Sequence, residues 1–176
     1  MPFSMSQASL PALEIGLNAL SALLDKAEAY AAAKKIDAAV LLNTRLAPDM
    51  LSLVGQVQIA TDFAKNGAAR LAGIEPPRFE DTEKNAAELK ARIAKTVAYL
   101  KSVDGRLIDA SADRQLSFPL GPKNKGEMKG ADYLNHFLLP NFYFHLTTAY
   151  DILRHCGVEL SKPNYLGGIP MKMSPR

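Results

Sequence analysis

The chain has 176 residues, 48% of them apolar and 22% charged, with a net charge of +3 and one cysteine. That length supports one self-sufficient core, and a lone cysteine excludes an intramolecular disulfide framework, so a reducing compartment is expected. The small positive charge sits on scattered helix lysines or in one loop (Lys123, Lys125, Lys129) without interleaved aromatics, which argues against a nucleic-acid partner.

The opening stretch MPFSMSQASLPALEIG lacks the basic flank and uninterrupted apolar run of a signal peptide. No segment approaches the roughly 18 uncharged apolar residues of a membrane span. A cytoplasmic location without a membrane partner is therefore expected. Leu10, Leu13, Leu17, Leu20, Leu24, Ala27 and Ala31 recur at three- and four-residue steps and predict a first helix from about Ser6 to Lys34. Pro11 is tolerable there because it falls near the start. After the polar link NTRLAPD, a second helix carries Leu53, Val54, Val57, Ala60, Ala64, Ala68 and Leu71 on one face and ends near Gly73, before Pro76-Pro77. The third helix follows FEDTE, with Asp81-Thr82 as the expected cap and Ala86, Leu89, Ile93, Val97 and Leu100 as its stripe.

Next, RQLSFPLGPKNKGEMKG alternates apolar and polar residues around Gly-Pro and Asn-Lys-Gly, which predicts two short strands and a turn. It has no Gly-Lys-Ser/Thr, so it is not a phosphate loop. The fourth helix is predicted from about Ala131 to Cys156, stopped by Gly157. The tail 158–176 is expected to pack Tyr165 and Leu166 back on the helices. The fold class is all-α: one domain over 1–176, a four-helix bundle with a small β-hairpin before the last helix. Periodicity leaves open whether the order is up-down-up-down or contains a crossover.

At about 100° per residue, Leu134, Leu138, Phe142, Ala149, Ile152 and Cys156 fall within about 60° of His145. That count places His145 at the centre of the buried face, with Asn141 one turn earlier on the same side. Two readings follow: a satisfied core histidine, or a site at the mouth of the bundle where i, i+4 side chains converge on a ligand or metal. Cys156 is about 16 Å further along the helix, too far for a thiolate–imidazole pair, and is expected to act as a small buried hydrophobe. Asp62 lies off the core stripe and is expected to be solvated or ion-paired.

The stretches FEDTE, LPNFYFHLTTAYDILRHCGV and YLG resemble the DUF1993 branch of the DinB-like superfamily of bacterial four-helix bundles. The resemblance covers nearly the whole chain. It implies a DinB-like bundle, an up-down-down-up order with a crossover, and a homodimer. Better-known members bind a divalent metal through three histidines, one on the second helix and an HxxxH pair on the last, and some are thiol-dependent transferases or isomerases. Here the pair reads Asn141-xxx-His145, and the second-helix face offers Val57, Ala60, Thr61 and Ala64, with no histidine.

One imidazole is a poor start for a zinc site, so no cofactor is expected; a divalent metal such as zinc or nickel, held by His145, is the alternative. The expected function is a small-ligand-binding or structural dimer with a degenerate metal site, the ligand meeting Asn141, His145 and Thr61. The alternative is a thiol-dependent transferase or isomerase with His145 as base or metal ligand, which an imidazole or carboxylate opposite His145 would favour. Asn141 and His145 are expected to be hydrogen-bonded to each other at the inner end of a pocket, His145 neutral at pH 7. The dimer is expected to use small residues of the second helix, Gly55, Ala69 and Ala72.

Overall fold

The computed structural model describes residues 4–121 and 123–171. In chain order, α1 (Met5–Lys34), α2 (Ala38–Asn43), α3 (Leu53–Ala72), α4 (Ala86–Ser102) and α5 (Gly105–Asp109) precede the strands β1 (Gln115–Leu120) and β2 (Asn124–Lys129). Then come α6 (Gly130–Asp132), a π-helical turn (Tyr133–Leu138), α7 (Leu139–His155) and α8 (Lys162–Leu166). The four predicted long helices and the hairpin are all present; α2, α5 and α8 are short turns that periodicity is too coarse to reveal. The antiparallel hairpin pairs Leu116 with Met128 and Phe118 with Gly126.

Cross-helix contacts give the direction of each long helix. Lys90 and Lys101 of α4 pair with Asp25 and Glu14 of α1, in reverse order. Gln56 and Arg70 of α3 meet His145 and Tyr133, again in reverse. Gly16 and Tyr30 of α1 meet Phe142 and Cys156 in the same order, so α1 and α7 are parallel. The order is up-down-down-up, and the link between α3 and α4 is the crossover. The fold is an all-α four-helix bundle in which α1 and α3 each pack mainly on α4 and α7.

The apolar stripes explain the core. Leu13, Leu17, Leu20 and Leu24 of α1 are fully buried, as are Val57, Ala60 and Ala64 of α3. Each buried leucine contributes about 1.5–3 kcal/mol relative to exposure. At Gly67, a Cβ would stand 2.6 Å from Leu138 Cδ2, so α3 and the last helix approach more closely than a side chain permits. Ala69 and Ala72, expected on the dimer surface, are buried within the chain at 0% and 4% exposure.

Three local expectations need correction. The cap of α4 is Asn85, whose side chain accepts from the Glu88 amide at 2.9 Å; the Asp81 carboxylate is drawn instead to Arg92 at 3.0 Å. Pro11 does fall near the start of α1, in its second turn, where its missing N–H withholds the bond to the Gln7 carbonyl. The last helix is not uniformly α-helical: the Leu139 amide donates to the Leu134 carbonyl five residues back. This wider turn precedes Pro140, whose ring and absent N–H disfavour a regular turn there. In the tail, Tyr165 packs back and shares a 3.0 Å hydrogen bond with Thr147, whereas Leu166 is exposed. Residues 172–176 of that tail lie outside the described residues.

Candidate functional site

The antiparallel pairing of α3 with α7 brings Gln56, in the first turn of α3, against His145. Gln56 is 1% exposed, and its Nε2 donates to the Leu51 carbonyl at 3.1 Å. That bond fixes the amide orientation and turns Oε1 towards His145. Because Oε1 only accepts, His145 Nδ1–H donates to it, at 2.7 Å, and Nε2 carries the free lone pair of the neutral ring. The Phe63 ring stacks on the imidazole at 5.6 Å and 21°, and Phe144 meets it edge-on at 5.2 Å.

The buried face of α7 centres on Phe142, Leu146, Ala149 and Leu153. His145 lies about 70° from that centre and is half-buried, not central as the uniform wheel predicted. The wheel omitted Leu146 and Leu153, buried at about 100° and 80° to one side of His145, and 100° steps carried back through the π turn also misplace Leu134 and Leu138. Asn141 is half-buried too, but its Nδ2 donates to the Phe137 carbonyl at 2.7 Å, one turn back. The expected Asn141–His145 bond is therefore replaced by two separate ones. Neither side chain lines the main clefts, of about 220–550 Å³, that run along the described residues. Cys156 is half-buried rather than buried.

Thr61 is not brought to His145. It lies about 140° round α3 from Gln56 and faces α4, where it donates to the Gln58 carbonyl and accepts from Arg92 Nε, both at 2.7 Å. Arg92 is the polar centre that sequence reasoning missed. Its side chain is 2% exposed. Its guanidinium also meets Asp62 at 2.8 Å, Asp81 and Glu83 at 3.0 Å, and the Glu80 carbonyl at 3.0 Å. Asp62 is thus ion-paired, as expected. Three residues after Leu89 and one before Ile93, Arg92 stands on the buried stripe of α4; that position, together with the carboxylates of FEDTE, was the available signal. The stretch wraps the arginine, with the Phe79 ring 5.4 Å from the guanidinium carbon.

Burial pushes the His145 imidazole below its ordinary 6.5. Its folded pKa is then below the unfolded one, so the unfolded chain takes up the proton first as pH falls. The contribution to stability is complete above about 6.5 and is lost as pH drops through the folded value. His145→Leu should remove that limb of the pH–stability curve and cost about 1–3 kcal/mol by leaving the Gln56 oxygen unpaired; adding Gln56→Leu should recover part of the loss. Urea unfolding at pH 7.5 and 5.5 reads both effects. A His145 titration above 6.5 by NMR would contradict the sign.

A divalent metal fits this donor set poorly. His145 keeps Nε2 free, but Asn141 is turned to backbone, and no group of three His, Cys, Asp or Glu able to hold an ion occurs among the described residues. No helix among them is long and apolar enough to cross a membrane.

The domain of unknown function DUF1993 matches residues 5–166. The crystal structure of a DinB family member protein from Shewanella denitrificans is 42% identical, covers 97% of this chain and 96% of its own, and superposes with a TM-score of 0.89. No curated protein matches.

Proposed function

Because the chain belongs to the DUF1993 family and has the bundle of a DinB family member, we propose that it acts as a cytoplasmic small-ligand-binding or structural homodimer whose metal site has degenerated. The observation that carries this reading is the 2.7 Å bond from His145 to Gln56. Gln56 holds Nδ1 and leaves Nε2 as the one free ring donor, with no group of three His, Cys, Asp or Glu able to join it among the described residues. Held this way, His145 offers Nε2 as a neutral acceptor for a ligand N–H or O–H. Asn141 caps the preceding turn, and Thr61 serves the Arg92 cluster instead of a ligand. A thiol-dependent transferase or isomerase using His145 as base or metal ligand would want a carboxylate or imidazole at the position of Gln56. The dimer surface that fits best is the outward side of α7, where Tyr143 and Phe144 are 38% and 56% exposed.

One preparation, made without a histidine tag, tests both halves. Light scattering at micromolar concentration is expected to give the mass of two chains, and elemental analysis after dialysis far less than one equivalent of zinc or nickel per chain. A monomer mass would remove the dimer. Stoichiometric metal would restore the enzyme reading.

A further inference from the structure

A second feature of the same helix pair lies beyond His145, on the far side of Phe63. Between α3, the π turn and β1 is a cavity of about 220 Å³ lined by Phe63, Phe137, Pro119, Asn66, Asp62 and Arg70, among others. The two phenyl rings are 5.8 Å apart at 60°, and Phe118 of the hairpin braces Phe137 from behind at 4.6 Å. The volume is below the 300–1,000 Å³ of drug-sized sites but above the roughly 150 Å³ that holds benzene, so a single substituted ring fits.

Charge narrows the ligand further. Asp62 is already neutralised, its Oδ1 lying 2.8 Å from Arg92 and 3.1 Å from Lys65. Arg70 has no carboxylate partner among the described residues; its Nη1 donates to the Tyr133 hydroxyl at 3.1 Å. That phenol is 0% exposed, and burial pushes it above its ordinary 10.0 despite Arg70, so it anchors the guanidinium without cancelling its charge. An anchored, uncompensated guanidinium beside apolar rings suits a planar carboxylate, which it can meet with two parallel N–H bonds.

We propose that this cavity is a binding site for a small aromatic monocarboxylate, its ring against Phe63, Phe137 and Pro119 and its carboxylate on Arg70. The site is separate from the Gln56–His145 pair, so its failure would leave the dimer mass and metal content untouched.

The test is a titration of the whole protein with benzoate and, in parallel, benzamide, followed by aromatic NMR. Benzoate should shift the Phe63 and Phe137 rings saturably, with a dissociation constant of about 1 mM for so few atoms. Benzamide, equal in shape but uncharged, should bind at least about tenfold more weakly, and Arg70→Gln should weaken benzoate by a similar factor. Equal binding of the two compounds, or no saturable shift with benzoate, overturns the proposal. The acid–amide comparison uses the wild-type chain and decides the matter even where Arg70→Gln fails to fold.

Discussion

Replacing Arg92 by methionine is expected to cost about 3–5 kcal/mol. The guanidinium is buried and simultaneously serves Thr61, Asp62, Asp81, Glu83 and the Glu80 carbonyl. Its removal orphans the Thr61 hydroxyl as an acceptor and releases the link between α3 and α4. The carboxylates lie nearer the surface, and two keep other partners: Lys65 for Asp62 and Gln58 for Glu83. The loss should therefore fall at the lower end of the range, a decrease in melting temperature of about 10 °C. Arg92→Lys should recover little, because an ammonium cannot spread donors over acceptors on both sides of a planar fork.

Acid adds a second readout. Burial by itself would raise the Glu83 carboxyl; the bond from Gln58, its backbone amide and Arg92 together hold it below 4.5. A depressed folded value means stability that is present above about 4.5 and lost as pH falls through the folded pKa. Arg92→Met should shrink that acid limb. A melting temperature within about 2 °C of wild type at pH 7 would show that the clamp is dispensable.

Gly130→Ala is expected to cost about 3 kcal/mol or more, at the upper end for overpacking. Gly130 joins the hairpin to the last helix, and its amide donates to the Arg114 carbonyl at 3.0 Å. A Cβ there would lie well inside the van der Waals envelope of the Ser111 carbonyl oxygen. The opposing atom is backbone, in a buried turn whose Ser111 hydroxyl already donates to the Ile108 carbonyl at 2.7 Å. Relief therefore requires moving either α5 or the start of the helix that carries His145. Gly168→Ala meets nothing within 4 Å and should change stability by less than about 0.5 kcal/mol. Urea midpoints of the two variants, compared with wild type, check the contrast. Equal midpoints would mean that the turn relaxes at no cost.

The helices were legible because burial along a helix repeats locally. Leucines at three- and four-residue steps identify α1 wherever its partners lie, and α3, α4 and the hairpin follow from the same kind of periodic argument. The motifs shared with DUF1993 likewise pointed to the family and to the bundle. Periodicity names the buried face of a helix but not what that face meets.

Three features needed the tertiary structure. His145 and Gln56 are separated by 89 positions, and only the antiparallel register of α3 with α7 joins them. Asn141 looked like the partner because it is one turn away, yet its amide turns to a carbonyl at the π turn, a local departure that a wheel of constant pitch cannot represent. Arg92 sits in an apolar stripe and would be costly to bury alone; what makes it stable is the wrapping FEDTE segment, whose extended path no helical period describes. The sequence alone thus determined the four long helices, the hairpin, the apolar faces of α1, α3 and α4, and the family. Which polar groups satisfy one another was decided by cross-bundle register, because hydrogen bonds depend on ångström-scale position whereas apolar burial needs only the correct side of a helix.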